Sequence, residues 1–236
     1  MKTALIFTAA VACLSVSLGA AESDAKADVT AAAKKLAEKD NYSWHTTVVV
    51  PEDARFKPGP VEGKTEKDGF TLLSMTNGDN ERQAVLKGEK GAATTRDGDW
   101  QSLSEMASGE GPGRFMAMML RNFKAPADQA AQLATDAKEL KKEGDLYSSE
   151  LTEEGAKKQL SFRPRAGGDA PSVSNAKGSV KFWLKDGALT KYEFNVKGTV
   201  SFNGNDFDQD RTTTVVIKDV GNTKVTVPDG AKQKVS

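Results

Sequence analysis

The strictest alternation of apolar and polar residues lies near the C-terminus, in residues 192–202. Every second position there, from Tyr192 to Phe202, is apolar or glycine, and the intervening positions are polar or charged. A period of two is typical of a strand with one face in the core and the other in solvent. Such a strand is long for a globular protein, and Gly198 on its apolar face predicts a bulge or bend. We therefore expect a strand that curves around an interior.

Shorter strand signals occur on both sides of this segment. Residues 42–50 are rich in aromatic and β-branched residues, and four short candidates follow at residues 70–76, 83–87, 92–95 and 100–103. Turns such as Asn77-Gly78 and Asp97-Gly98 favour tight hairpins, so these strands are expected to pair as an antiparallel meander. Residues 180–185, 212–220 and 223–227 are expected to complete the sheet, whereas residues 51–63 are expected to form a surface loop.

Helical periodicity is found at the start and in the middle of the chain. Amphipathic or apolar spacing predicts helices at residues 29–40, 114–123, 126–143 and 152–160, the third with Lys141 and Lys142 late and Gly144 just past its end. Residues 22–28 are polar and are expected to be loose, and residues 163–175 are expected to form a flexible connection. The pattern as a whole predicts an α+β protein with a curved antiparallel sheet and an apolar helix covering it.

The first 21 residues have the composition of a secretory signal peptide. Lys2 precedes an uncharged run, Gly19-Ala20-Ala21 provides small residues for cleavage, and Glu22 is the first acidic residue. The run is shorter than the roughly 20 apolar residues of a membrane-spanning helix, so cleavage is favoured over a membrane anchor. We expect an exported, periplasmic or extracellular mature chain, residues 22–236, that forms one domain without a transmembrane segment.

Cleavage at this site would also remove Cys13, the only cysteine. The small residues Ala10-Val11-Ala12 before it leave a second interpretation open, in which Cys13 becomes the lipid-anchored N-terminus. The apolar stretch before Cys13 is short, so the downstream site is favoured. The mature chain would then contain no disulfide, and its stability would come from packing and hydrogen bonds.

Charge and residue inventory argue against nucleic-acid binding and catalysis. Removing Lys2 from 33 basic and 33 acidic residues leaves a net charge of −1, which implies no overall attraction to nucleic acid or anionic lipid. His45 is the only histidine, so Ser-His-Asp, Cys-His and multi-histidine metal sites lack parts. Residues 203–210 alternate carboxylates like a calcium loop but lack its glycine and its final glutamate. We expect no enzyme, no cofactor and no metal site.

A methionine-rich apolar segment follows the glycine-rich residues 109–113. Four of the five methionines of the mature chain lie between Met106 and Met119. Methionine adapts to irregular apolar partners, so this helix could line or cover a cavity for a hydrophobic ligand. Packing within an ordinary core would explain the segment equally well, and both interpretations remain open.

The order of elements resembles the bacterial lipoprotein-carrier superfamily, which includes LolA- and LolB-type carriers and mycobacterial lipid-binding lipoproteins. The likeness rests on Tyr42-Ser43-Trp44 and on residues 88–100 and 182–192. It implies an unclosed antiparallel half-barrel with helices over its concave face. It also implies that the protein carries a lipid or a lipidated protein in the envelope.

On this resemblance a ligand would lie between the long strand and the methionine-rich helix. The candidate ligand-binding residues are Phe115, Met116, Met119, Phe123, Tyr192, Phe194, Val196, Val200 and Phe202. The expected partner is a hydrophobic ligand or a lipidated protein, and the protein is expected to be a monomer. The alternative is a non-catalytic envelope interaction or structural module with a filled core.

Overall fold

The computed structural model describes residues 20–54, 56–78, 80–161, 171–202 and 204–235. The strands of this part of the chain are β1 (Asn41–Val49), β2 (Val61–Glu66), β3 (Thr71–Asn77), β4 (Asn80–Lys87), β5 (Lys90–Thr94), β6 (Trp100–Ser102), β7 (Lys141–Glu143), β8 (Leu146–Glu150), β9 (Ser172–Lys185), β10 (Ala188–Phe202) and β11 (Asn205–Lys218). The helices are α1 (Ala20–Ala37), α2 (Leu103–Ser108), α3 (Pro112–Arg121), α4 (Pro126–Asp136), α5 (Glu153–Leu160) and α6 (Asp229–Lys232).

All strands belong to one sheet in the order β6-β5-β4-β3-β2-β1-β11-β10-β9-β8-β7. Every neighbouring pair is antiparallel. The strands β6 and β7 end the order at opposite edges, so the sheet is not closed into a barrel. The structure confirms the predicted α+β class, an unclosed antiparallel sheet covered by helices. It also confirms the predicted meander, which corresponds to β3–β6.

One face of the sheet packs against helices over the half that contains β10. Tyr192, Phe194 and Val196 of β10 and Val215 of β11 are buried on this face, which we call the covered face. The helix α1 packs against α4 and β10, and α5 packs against β9 and β10. Apolar and polar residues therefore alternate along β10 for the predicted reason: every second side chain points into the core below the helices.

The opposite face is also covered, but only over the meander. Val85 and Ala92 are buried there against the C-terminal segment, which contributes Val227, Ala231 and Val235. This segment was predicted in part as a strand at residues 223–227, and that prediction is wrong. Residues 223–227 pair with no strand and instead place Val225 and Val227 on the second, smaller core.

The predicted irregularity at Gly198 is confirmed. The register between β9 and β10 shifts between Lys197 and Thr199, and the extra residue lies on β9, where Asn175 has a φ of 54°. A Cβ atom on Gly198 would lie 2.9 Å from Leu160 Cδ1 and 3.0 Å from the Ser174 carbonyl oxygen. Glycine therefore lets α5 and the bulged strand approach β10 closely.

Two helix boundaries differ from the predicted ones by more than three residues. The helix α1 begins at Ala20, so residues 22–28 are helical and not loose. Ala25, Val29, Ala32 and Leu36 form one buried stripe, which explains why the polar start of α1 is helical. The helix α4 ends at Asp136, seven residues earlier than predicted, because Ala137 pairs with Leu151 in an isolated β-bridge and residues 141–143 form the strand β7.

The strands β2 and β7 and the helices α2 and α6 were not predicted, and residues 172–175 of the predicted flexible connection belong to β9 instead. Most of the signal peptide, including Cys13, and residues 163–170 of that connection lie outside the described residues. None of the described helices is long and apolar enough to span a membrane.

Candidate functional site

The predicted strand residues lie below the helices, in the core. Tyr192 and Val196 are completely buried, and Phe194 and Val200 nearly so. The Tyr192 hydroxyl donates a hydrogen bond of 2.7 Å to Gln129 Oε1 of α4, and burial raises the pKa of Tyr192 well above its ordinary value. This part of the covered face is filled by protein side chains. Phe202 ends β10, and its side chain lies outside the described part of the chain.

A column of aromatic rings crosses the covered face at β1. The ring centroids of Tyr42 and Trp44 lie 5.7 Å apart, and Trp44 stacks on Phe123 with centroids 6.1 Å apart and an angle of 18° between the planes. The Tyr42 hydroxyl accepts a hydrogen bond of 3.5 Å from the Ala127 backbone N–H. Burial raises the pKa of Tyr42 to about 12, so its hydroxyl is neutral at physiological pH.

Trp44 lies directly over Gly63 of the neighbouring strand β2. A Cβ atom on Gly63 would lie 2.0 Å from Trp44 Cζ2, so only glycine leaves room for the indole ring. The absence of a side chain at Gly63 thus allows Trp44 to pack directly against the polar strand β2. The column ends at Phe123, which follows α3 and is partly buried.

The methionine-rich helix α3 packs against α2 and places one side on the main core. The glycine-rich segment before it includes Gly111, whose φ of 78° is favourable only for glycine. Ala117 and Leu120 are buried, and Met116 and Phe123 pack against the main core. The other two candidate residues lie on the solvent side, where Phe115 is 55% and Met119 is 44% exposed.

A cleft of 570 Å³ opens beside the C-terminal end of α3. Its apolar lining includes Leu86, Leu103, Leu120, Phe123 and Ala125. Its other lining residues include Glu89, Lys90 and Arg121, and Arg121 Nη2 donates a 3.3 Å hydrogen bond to the Leu103 carbonyl oxygen. This volume lies within the range of small-molecule sites, and the lining combines apolar side chains with polar and charged groups, which is compatible with an amphiphile.

Arg211 lies on the covered face opposite Val196. Its Nη2 donates a 2.5 Å hydrogen bond to the Gln159 carbonyl oxygen of α5. Desolvation lowers the pKa of Arg211, and no carboxylate among the described residues forms an ion pair with it. The covered face thus contains a cationic group whose guanidinium donates to a backbone carbonyl and is paired with no carboxylate in the described part of the chain.

A second, more polar cleft of 410 Å³ lies between α1 and the β7–β8 hairpin. Asp28 accepts hydrogen bonds from Lys142 Nζ at 2.9 Å and from the Tyr147 hydroxyl at 2.7 Å. The hydrogen bond from Lys142 is the larger cause that lowers the pKa of Asp28, and the bond from Tyr147 is the next. These contacts attach α1 to the edge of the sheet.

His45 is placed on β1, where its Nδ1 lies 2.6 Å from Glu62 Oε1 of β2. The carboxylates at residues 206, 208 and 210 lie along β11 and are exposed. Within the described ranges no three His, Cys, Asp or Glu side chains are placed to hold a metal ion.

The structure brings some of the candidate residues together and separates others. Met116, Phe123 and the four described strand side chains contact one core, whereas Phe115 and Met119 point away from it. Sequence reasoning missed Leu86, Leu103 and Leu120 as cleft residues. Leu120 could have been found, since it lies four residues after Met116 on the same side of α3.

Comparison with solved structures finds the same fold, an open antiparallel sheet packed against helices, in another protein. The lipoprotein LppX of Mycobacterium tuberculosis matches with a TM-score of 0.50 and 10% identity over 87% of this chain and 99% of LppX. At this identity the likeness shows the fold alone, and it is the fold that the sequence resemblance predicted.

Two further structures match less well. LprF of Mycobacterium bovis has a TM-score of 0.42 at 10% identity, over 89% of this chain and 98% of LprF. A LolA superfamily protein of Nitrosomonas europaea has a TM-score of 0.35 at 10% identity, over 86% of this chain and 94% of that protein. No protein-family model and no curated protein matches the sequence.

Proposed function

We propose that this protein is an exported, non-catalytic envelope protein that binds or carries a hydrophobic ligand, either a lipid or the acyl group of a lipidated protein. The observation that carries the proposal is the cleft of 570 Å³ beside Phe123, which lies at the end of the methionine-rich helix α3 and has both apolar and polar lining residues. The resemblance of the sequence to lipoprotein carriers and the LppX-like fold support it.

In this proposal α3 and Phe123 act as a movable plug. The ligand first contacts Leu86, Leu103 and Leu120 in the cleft, and its chain reaches Trp44 when Phe123 leaves the aromatic column. Met116 adapts to the chain because its side chain is flexible and polarisable. The residues of β10 lie deeper, and Tyr192, Phe194, Val196 and Val200 contact the ligand only after the helices above them move apart.

Replacement of Phe123 by alanine tests this mechanism. We expect Phe123→Ala to lower the free energy of unfolding by about 1–3 kcal/mol, less than for a fully buried phenylalanine, and to accelerate uptake of a fluorescent fatty acid. The matched control is Phe56→Ala, because Phe56 is 64% exposed and lies in the loop after β1. A Phe123→Ala protein that is destabilised but takes up the fatty acid no faster than wild type contradicts the plug.

The alternative, an interaction or structural module without ligand, is favoured by the complete burial of Tyr192 and Val196 under the helices. Native mass spectrometry of protein purified from its own envelope separates the two functions. Bound lipid supports the carrier, whereas reproducible absence of lipid together with no fatty-acid uptake supports the module. The mass of the chain in the same spectra shows whether it begins at Glu22 or at a lipidated Cys13. The mass of the intact particle shows whether the protein is a monomer.

A further inference from the structure

The last residue of α4, Asp136, has a buried carboxylate that is only half satisfied. Its side chain is 7% exposed, and it is the only buried Asp, Glu, Lys, Arg or His in the described part of the chain. Oδ1 accepts a hydrogen bond of 2.9 Å from Lys158 Nζ of α5, whereas the buried Oδ2 has no hydrogen-bond partner among the described residues. An unsatisfied buried oxygen costs free energy, so stability does not explain a carboxylate at this position.

The position of Asp136 in α4 adds to this cost. The C-terminal end of a helix carries the negative end of the macrodipole, which disfavours a carboxylate. Lys26 of α1 donates to the carbonyl oxygens of Thr135 and Ala137 at 2.9 and 3.4 Å but forms no ion pair with Asp136. Lys26 therefore holds the end of α4 on α1, and Lys158 is the one cation that pairs with the carboxylate in the described ranges.

The first turn of α5 packs on Asp136 without satisfying it. A Cβ atom on Gly155 would lie 2.6 Å from Asp136 Cβ, so the helix lies directly against the side chain. The Gly155 N–H donates to Thr152 Oγ1 of the N-cap at 3.0 Å and not to the carboxylate. Glu153 and Glu154 add two negative charges in the same turn. The closed packing of α5 thus keeps a carboxylate away from water without replacing its lost hydration.

The two ends of α5 are attached by different kinds of contact. At the N-terminal end, the Thr152 backbone N–H donates to the Asp136 carbonyl oxygen at 2.9 Å. In the last turn the contacts come from side chains, since Lys158 reaches back to the carboxylate and Leu160 packs over Gly198 of β10. Backbone hydrogen bonds therefore mark the N-terminal end as the pivot and the last turn as the end that can separate from β10.

From these observations we infer that α5 opens locally about its N-terminal end, and that the buried charge of Asp136 lowers the free energy of this opening. Opening returns water to the carboxylate and uncovers β10 at Gly198. Lys158 has the opposite effect, because it is the partner that makes the buried charge tolerable in the closed state. The inference goes beyond the proposed function, since it concerns a helix other than α3 and its test contains no ligand.

Native-state hydrogen exchange, followed residue by residue, tests the opening in wild type. The amides of Ala156 and Ser161, which donate to the carbonyl oxygens of Thr152 and Lys157, are the reporters in α5. We expect them to exchange faster than the amides of β10, which exchange only on global unfolding. Equal protection of α5 and β10 overturns the inference, because α5 then opens only with the whole fold.

Substitutions at the two ends of the ion pair should shift the opening constant of α5 in opposite directions. Lys158→Met is expected to raise it at least about tenfold, because the buried carboxylate loses its partner. Asp136→Asn keeps the shape and removes the charge, and is expected to lower the constant at least about fivefold, since Lys158 is 45% exposed and remains hydrated. An ordinary stabilising ion pair would give a rise in both variants. A constant that Asp136→Asn raises or leaves unchanged overturns the inference.

A double variant and a neighbouring lysine complete the experiment. With Asp136→Asn present, Lys158→Met should no longer open α5 beyond the wild-type level, because no buried charge remains to be paired. Lys157→Met is the matched control, since Lys157 forms an exposed ion pair of 2.7 Å with Glu153 on the same helix. It should change the constant by less than about twofold. Equal opening by Lys157→Met and Lys158→Met, or no rescue in the double variant, contradicts the role of Asp136.

Discussion

At the scale of single residues, the contact between Gly63 and Trp44 is the tightest constraint in the candidate site. A Cβ atom at position 63 would lie 2.0–2.7 Å from three atoms of the indole ring. We expect Gly63→Ala to lower the free energy of unfolding, measured in urea, by about 1–3 kcal/mol or more, because Trp44 and Phe123 must shift together.

Gly113→Ala is the matched control for this substitution. The nearest atom to a Cβ at position 113 is Met106 Cε at 3.9 Å, and the residue lies in the first turn of α3. Alanine is a better helix former than glycine, so this variant should be neutral or more stable by about 0.5–1 kcal/mol. Equal destabilisation of both variants would mean that the fit of Trp44 on Gly63 is not the cause.

Replacement of Arg211, unlike that of Gly63, is not expected to destabilise the fold. Its charge is desolvated and has no carboxylate partner among the described residues. Methionine retains a long apolar stem and removes the cost of keeping the cation on the covered face. We expect Arg211→Met to change the free energy of unfolding by less than about 1 kcal/mol or to raise it. A loss above about 2 kcal/mol would show that the hydrogen bond to the Gln159 carbonyl is structurally required.

At the scale of elements, an ion pair attaches the C-terminal segment to α2. Lys234 Nζ donates to both Glu105 oxygens at 2.9 and 3.2 Å, and the Glu105 side chain also caps α2 through the Ser102 backbone N–H. The hydrogen bond from Lys234 is the largest cause that lowers the pKa of Glu105 from 4.5 to about 2, and the bond from Ser102 is the next.

A carboxyl group whose pKa is lowered by folding stabilises the fold at pH values above its unfolded pKa. This stabilisation is lost as the pH falls through the lower pKa of the folded state. We therefore expect Glu105→Gln to melt at a lower temperature than wild type at pH 7, and the difference to shrink between about pH 4.5 and pH 2. Lys234→Met should cost little more in the Glu105→Gln background, which a double-mutant cycle measures. A difference in melting temperature that is independent of pH would show that the charge of Glu105 does not stabilise the fold.

Elements with a regular pattern of apolar and polar residues, or with clear turn and cap residues, were predictable from the sequence. Elements stabilised by distant contacts were not. The alternation of β10, the turn residues of the meander and the Thr152 cap of α5 are local signals, and each predicted the correct element. The strand β2 is short and polar, and it exists because its backbone pairs with β1 and β3 and because Gly63 accommodates Trp44. Residues 223–227 have strand composition but pack as a coil on the second core.

In the candidate site, too, local signals were predictable from the sequence and distant contacts were not. Apolar side chains at α3 and β10 are evident from sequence, but whether each faces the core, the cleft or solvent depends on how α3 sits on α2. Phe115 and Phe123 look equivalent in the sequence, yet one is exposed and the other stacks on Trp44. Leu86 and Leu103 belong to different elements, so only the pairing of the meander brings them to one cleft.

At the scale of the whole molecule, ligand uptake and stability are linked, because a ligand that binds only the folded chain raises its stability by mass action. At a free fatty-acid concentration of about 100 times Kd the expected gain is about 2.7 kcal/mol, visible as a rise in Tm. A rise in Tm alone does not locate the ligand, whereas Trp44 does, since uptake in the proposed mechanism separates it from Phe123.

A variant that retains Trp44 alone isolates this signal. With Trp100→Phe and Trp183→Phe, we expect fatty acid to change the fluorescence emission of Trp44 over the same concentration range in which it raises Tm. The change should persist but develop faster when Phe123→Ala is added, because the chain still reaches Trp44 and no ring has to be displaced first. A rise in Tm with unchanged Trp44 emission would place the ligand away from the aromatic column, and α3 would then cover a core that it never opens.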